Sequence, residues 1–176
     1  IRRFCGPFLG RYLYKITQSK GKPLYINGHQ MILASGNSYP PVDMIRDTFE
    51  VETTKLFREI IEPGSTIIDV GAHVGYYTLL AARLAGNAGL VYAFEPEPQN
   101  HELLVQNVDL NGYTNVIPIS KVVSNEPGTA TLFLTSFDSG RHSTYQSNIR
   151  DTESIQVPST TIDQFFESIE SPQIDL

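Results

Sequence analysis

The chain holds a single cysteine, Cys5, so it can form no intrachain disulfide, and a reducing compartment suits it best. Its histidines, His29, His73, His101 and His142, are scattered at spacings that match no zinc motif, and no metal is expected. No stretch approaches the roughly 18 consecutive apolar residues of a membrane helix. "FCGPFLG" near the start is too short and too interrupted for the core of a signal peptide. Together these absences predict a soluble, cytoplasmic protein without a membrane span. Internal repeats and low-complexity segments are also lacking.

Acids are missing from the beginning of the chain. Arg2, Arg3, Arg11, Lys15, Lys20 and Lys22 all precede Asp43, although the formal net charge of the 176 residues is -6. The result is a basic head on an acidic body. Such a head can meet an anionic surface, but a solvated face explains it more simply, and the acidic body argues against nucleic acid as a partner. With 40% hydrophobic residues the chain can bury the core of one domain. Residues 1–45 give only weak signals, among them an Asn27-Gly28 pair of the kind that turns a hairpin. They are read as an N-terminal accessory segment ahead of a domain spanning 46–176.

From Asp47 to Ile61 the spacing of Val51, Leu56, Ile60 and Ile61 predicts one face of a helix, stopped by Pro63-Gly64. "STIID" then reads as a strand buried on both faces, being short, β-branched and uncharged until its last residue. "GYYTLLAARLAG" predicts a helix ended by Gly86, "GLVYAFE" a second buried strand, and "PEPQNHELLVQNVDLNG" a second helix with prolines and acids in its first turn. "NVIPISKVVS" reads as one third strand. This alternation predicts an α/β fold with a parallel sheet and crossover helices. "TATLFLT" alternates like a strand with unlike faces, and "IQVPSTTIDQFFESI" gives a strand and then a helix opened by a threonine. Between them Ser136 to Ser154 is a polar stretch that can serve as a substrate-facing loop.

Ligands of parallel α/β sheets sit outside the carboxyl ends of the strands. Asp69, Gly71 and Gly75 fall at such an end, and Glu95 ends the next strand. Gly71 lets the backbone turn sharply near a ligand, and Gly75 lets the following helix start close by. A carboxylate at the position of Glu95 can accept both hydroxyl hydrogens of a ribose. The G-x-G-x-x-G that cradles a pyrophosphate is absent, because Ala72-His73-Val74 separates the two glycines. An acid just ahead of the bend also suits an ammonium or sulfonium better than a pyrophosphate. These residues favour S-adenosyl-L-methionine over NAD.

"PGSTIIDVGAHVGYYTLLAARL", "GLVYAFEPEPQNHELLVQNVDLNG" and "NVIPISKVVSNEPGTATLF" resemble the successive motifs of the FkbM-type SAM-dependent methyltransferases, over roughly Glu50 to Phe133 and more weakly to Leu176. The resemblance implies a Rossmann-like class I methyltransferase whose first motif, here Asp69, Gly71 and Gly75, holds the methionine end of the cofactor. It implies Glu95 as the ribose acid and places Lys121 and Val122 beside the adenine. His73 stands where the family often has asparagine. The family pattern continues after an "IDL"-like lead-in, so the core is expected to be truncated before its fourth strand, with a bare sheet edge and an uncovered apolar face. The implied acceptor is a small molecule or glycan: a hydroxyl of a sugar, glycolipid or secondary metabolite.

No catalytic base is evident. His142, in the polar stretch beside Arg141, Ser143 and Tyr145, is the one candidate. Glu50 and Glu52 can lie over the cofactor or simply favour a helix start. His101 is expected to be solvated, and Tyr76 and Tyr77 to be packing residues. Two other readings remain: a nucleotide-binding module that no longer transfers methyl groups, and an NAD-dependent oxidoreductase.

Overall fold

The computed structural model describes residues 22–33, 42–134, 143–144, 153–169 and 173–176. β1 (Leu24–Ile26) and β2 (His29–Met31) form an antiparallel hairpin. Asn27 and Gly28 turn it with φ of 46° and 81°, the left-handed pair that a two-residue hairpin loop demands. The hairpin belongs to the main core: Ile26 and Met31 are buried in one cluster with Leu79, Val91 and Leu104.

The helix expected over Asp47 to Ile61 is shorter and preceded by another. α1 (Val42–Ile45) is followed by Asp47 and Glu50 in left-handed conformations, φ 54° and 40°, which no helix can contain, and α2 runs Val51–Ile60. Its expected apolar face also points the other way. Val51, Leu56 and Ile60 are about half exposed, at 51%, 50% and 44%, while Thr54 and the following Ile61 are buried. Thr54 is drawn inward by Tyr76, whose hydroxyl lies 3.3 Å from its own.

β3 (Thr66–Val70), β4 (Leu90–Phe94) and β5 (Val116–Ile119) form a parallel sheet in that order. α3 (Tyr76–Ala85) connects the first two strands and α4 (Pro98–Leu110) the next two. α4 starts where its sequence says it must: Pro98 occupies the first turn, and the Glu97 side chain accepts the Asn100 N–H at 2.7 Å. The third strand is not single. After β5 the chain turns at Ser120-Lys121, with Lys121 N–H bonding back to Ile119 O, and β6 (Val122–Val123) enters another sheet. There it pairs parallel with β8 (Glu153–Thr160), which pairs antiparallel with β7 (Gly128–Leu134).

Alternate residues of the parallel sheet face two cores. Ile67, Val91, Ala93 and Val116 pack toward α3 and α4, and Tyr92, Phe94 and Ile119 pack against Phe166. Phe166 belongs to α5 (Ile162–Glu167), capped by the Thr161 hydroxyl, which accepts the Gln164 N–H at 3.1 Å. The outer edge of β3 is not bare and the second face is not uncovered, although β5 has no strand beyond it among the described residues. Ile68 N–H donates to Leu176 O at 2.8 Å and Asp175 N–H to Thr66 O at 2.9 Å, so residues 173–176 lie along the outer edge of β3. α5 and Ile174 cover the second face.

Candidate functional site

The loop from Gly71 to Gly75 leaves β3 and starts α3. Gly71, His73 and Gly75 have φ of 82°, 53° and 96°. His73 is the non-glycine residue among them, and histidine, with asparagine and aspartate, is enriched in this left-handed region. The loop is tied to its neighbour: Gly71 and Ala72 N–H both donate to Phe94 O, at 2.9 and 3.0 Å. A Cβ on Gly71 would meet nothing within 4 Å, so that glycine is required by its φ and leaves space before the strand end. Gly75 is required twice, since a Cβ there would come 2.8 Å from Leu104 Cδ1 in α4.

Glu95 joins the two loops. Its Oε2 accepts the His73 N–H at 2.8 Å and its Oε1 the Glu97 N–H at 3.0 Å. Only 5% of the residue is exposed. Burial pushes its pKa above the usual carboxylate value, against the pull of the two backbone donors and of the Asn100 side chain, which also bonds to it. Asp69 is also raised by burial, with the Thr78 hydroxyl, 2.6 Å from Oδ2, working the other way.

A cleft of about 280 Å³ lies at this carboxyl edge. Gly71, His73, Glu95, Lys121 and Val122 line it. Asp69 and Gly75 do not: their contacts run to Thr78 and Leu104, on the α3 and α4 side of the sheet. The Lys121 ammonium lies 6.0 Å over the Phe165 ring. Val70, Phe94 and Pro96, neighbours of the motif acids, complete the near wall. Leu132, Ser143 and Thr144 form part of the rest, and the sequence did not single out Leu132 or Thr144. Ser143 is placed by backbone bonds exchanged with Phe133, at 2.8 and 3.1 Å. The polar stretch Ser136 to Ser154 gave the one hint, since its residues 143 and 144 face this cleft.

His142, Arg141 and Tyr145 lie outside the described residues, as does Cys5. Glu50 accepts the Tyr77 hydroxyl at 2.5 Å, and neither it nor the exposed Glu52 lines the cleft. Burial and the Glu50 carboxylate hold the Tyr77 phenol well above its ordinary pKa. Tyr76 packs edge-on to Phe49, with centroids 5.1 Å apart. His101 is half-buried, not fully solvated as expected, and its Nε2 is shut off from water with no partner among the described residues. Among the described residues no group of three or more His, Cys, Asp or Glu side chains can hold a metal, and no helix is long and apolar enough to cross a membrane.

A parallel α/β sheet with a glycine bend after one strand, a buried acid after the next and a cleft between them defines the Rossmann-like class of nucleoside-binding domains. The family model of the methyltransferase FkbM domain matches residues 69–176, and the chain belongs to that family. The family is one of SAM-dependent methyltransferases, with S-adenosyl-L-methionine as cofactor. Among curated proteins the chain is 39% identical over 66 residues to the tRNA (adenine(58)-N(1))-methyltransferase catalytic subunit TRM61 of Yarrowia lipolytica, covering 38% of this chain and 17% of that protein. It is 38% identical over 58 residues to a protein-L-isoaspartate O-methyltransferase of Aeropyrum pernix, covering 33% and 22%. The chain thus spans about a fifth of the length of these relatives. Among solved structures, Trm5b of Pyrococcus abyssi aligns over 58% of this chain and 32% of its own, at 23% identity and a TM-score of 0.43.

Proposed function

We propose that this chain forms the cofactor-binding part of an enzyme that transfers the methyl group of S-adenosyl-L-methionine to a hydroxyl of a sugar, glycolipid or secondary metabolite. The observation that carries the reading is the Glu95 carboxylate, buried at a strand end, fixed by two backbone N–H groups and lining the cleft. The Asn100 side chain also bonds to this carboxylate, and the acceptor capacity that remains on its oxygens suits a ribose hydroxyl. Gly71 leaves the ligand side of the loop without a side chain, so the residues present fit a nucleoside.

In this reading Glu95 holds the ribose hydroxyls, Lys121 and Val122 border the base, and the loop of Gly71 and His73 supports the sugar and the methionine end. Asp69 and Gly75 act from behind the loop by fixing the first turn of α3. The cofactor, once bound, supplies an electrophilic methyl on a good leaving group, so the protein's task is mainly alignment. Alignment of two reactants is worth about 7–11 kcal/mol, and a general base only about 10²–10⁴ in rate. A strong base is therefore not required of this cleft.

Relatives named for tRNA and for protein substrates bear on the acceptor, so the expectation of no nucleic-acid partner has no support from them. Transfer of labelled methyl from S-adenosyl-L-methionine should be measured over separate pools of glycans and metabolites, tRNA and protein. Label in the first pool supports the hydroxyl acceptor. Label confined to tRNA or protein replaces that acceptor but keeps the activity, and cofactor binding with no transfer to any pool leaves a non-catalytic nucleoside-binding module.

A further inference from the structure

We propose that a second pocket, between the β1–β2 hairpin, α2 and α3, binds the phosphate or carboxylate group of a small organic anion. The pocket encloses about 580 Å³ and shares no lining residue with the cofactor cleft. Three cations, Lys55, Arg58 and Arg83, line it against one carboxylate, Asp47. That carboxylate is already engaged, accepting the Asn27 N–H at 2.9 Å. Lys55 has Glu59 at 3.8 Å, but among the described residues neither Arg58 nor Arg83 has an acid within ion-pair distance.

Both guanidinium groups bear on the same tight turn. Arg58 Nη2 donates to Asn27 Oδ1 at 2.6 Å, and Arg83 crosses Gly28 so closely that a Cβ there would overlap its Nη1. The Arg83 charge is felt nearby, where it helps hold His29 in its neutral form. Two like charges brought to one turn with no acid in ion-pair contact are what an oxyanion satisfies, since the guanidinium fork matches carboxylate and phosphate oxygens.

The second, independent sign is Asn27 itself. It is only 8% exposed, and its Nδ2 is buried with no hydrogen-bond partner among the described residues. The Arg58 bond fixes which end of the amide is which, so Nδ2 is a donor left over in a residue that lines the pocket. An unpaired buried donor is costly, and a ligand oxygen would relieve it. Arg83, which crosses this turn, is exposed and has no hydrogen bond of its own among the described residues. Phe49 and Tyr76 supply an apolar wall, so the anion carries an organic body rather than being bare.

The test is isothermal titration of the chain with inorganic phosphate and, separately, acetate, at constant ionic strength set with chloride. Saturable binding of phosphate alone supports a phosphoester ligand, and binding of acetate supports a carboxylate. Asn27→Asp is the decisive variant: it keeps an acceptor for Arg58 and tolerates the left-handed φ, but replaces the spare donor with a negative oxygen. It should melt no lower than the wild type and bind the anion at least about tenfold more weakly, by like-charge repulsion. Arg83→Gln should weaken binding in the same sense. Heat no greater than that of added chloride, or unchanged affinity in a folded Asn27→Asp, overturns the proposal.

Discussion

The His73 N–H points at Glu95 Oε2 from 2.8 Å, so the bend after one strand is locked to the acid after the next. Because Glu95 also accepts from Glu97, one side chain sets the spacing of both loops that border the cleft. Replacing it must therefore alter both the ligand contacts and the shape that presents them.

Glu95→Gln keeps the volume but turns one acceptor into a donor facing a backbone N–H. Hydrogen bonds to charged groups are worth about 1.5–3 kcal/mol, so affinity for S-adenosylhomocysteine should fall roughly 10- to 100-fold. Titration calorimetry reads the affinity, and a melt of the same sample should show a modest loss of stability. Unchanged affinity in a folded protein would remove the ribose role.

Gly71→Ala and Gly75→Ala separate backbone strain from crowding. Both residues have positive φ, which costs an alanine about 1–2 kcal/mol. Only at Gly75 does the new Cβ also press on the buried Leu104. Urea denaturation should rank Gly75→Ala as the more destabilised of the two, and equal losses would contradict this packing.

Asn107 is fully buried and holds three elements together. Its Nδ2 donates to Val74 O at 2.8 Å and Ile32 O at 3.0 Å, and its Oδ1 accepts the Ile32 N–H at 2.6 Å. Asn107→Leu leaves these backbone groups unpaired at about 1–3 kcal/mol each where they stay buried, so a loss on the order of 3 kcal/mol is expected in chemical denaturation. A loss under about 1 kcal/mol would show that the hairpin is not anchored to α4 in this way.

His29 is 2% exposed, and its Nε2 lies 2.8 Å from the Tyr113 hydroxyl. Burial first, and the Arg83 charge second, lower its pKa from 6.5 to about 4. Between those values the unfolded chain takes up a proton that the folded chain refuses. This contribution to stability is therefore intact above pH 6.5 and lost as the pH falls toward about 4. At about 1.4 kcal/mol per pKa unit the full loss is on the order of 3–4 kcal/mol. His29→Gln should flatten this part of the stability profile, and an unaltered slope would assign it to other groups.

The parallel sheet was legible because its strands are short β-branched runs ending at an acid or a turn, and the helices between them carry ordinary start and stop residues. The junction of β5 and β6 was not. Val116 to Val123 is apolar except for Ser120-Lys121, and a single polar pair does not tell a change of sheet from two residues within one strand. The start of α2 was hidden for a related reason: Asp47 and Glu50 adopt left-handed conformations that residues of their type announce only weakly. Its buried side was misread because Thr54 is held inward by a tyrosine hydroxyl while Val51, Leu56 and Ile60 face outward.

The candidate site divides along the same line. Gly71, His73 and Glu95 follow from strand ends, whereas Leu132, Ser143 and Thr144 reach the cleft through the pairing of β7 and the β6–β8–β7 sheet, a long-range relation without a local pattern. Asp69 sits in the motif but not on the cleft wall, because successive residues of β3 face opposite ways and the Thr78 hydroxyl takes its carboxylate.

The most direct test is calorimetric titration of the chain with S-adenosylhomocysteine and with NAD, side by side. The account predicts saturable one-to-one binding of S-adenosylhomocysteine, weakened by Glu95→Gln, and no comparable heat with NAD. Preference for NAD, or homocysteine-adduct binding indifferent to Glu95, would contradict it.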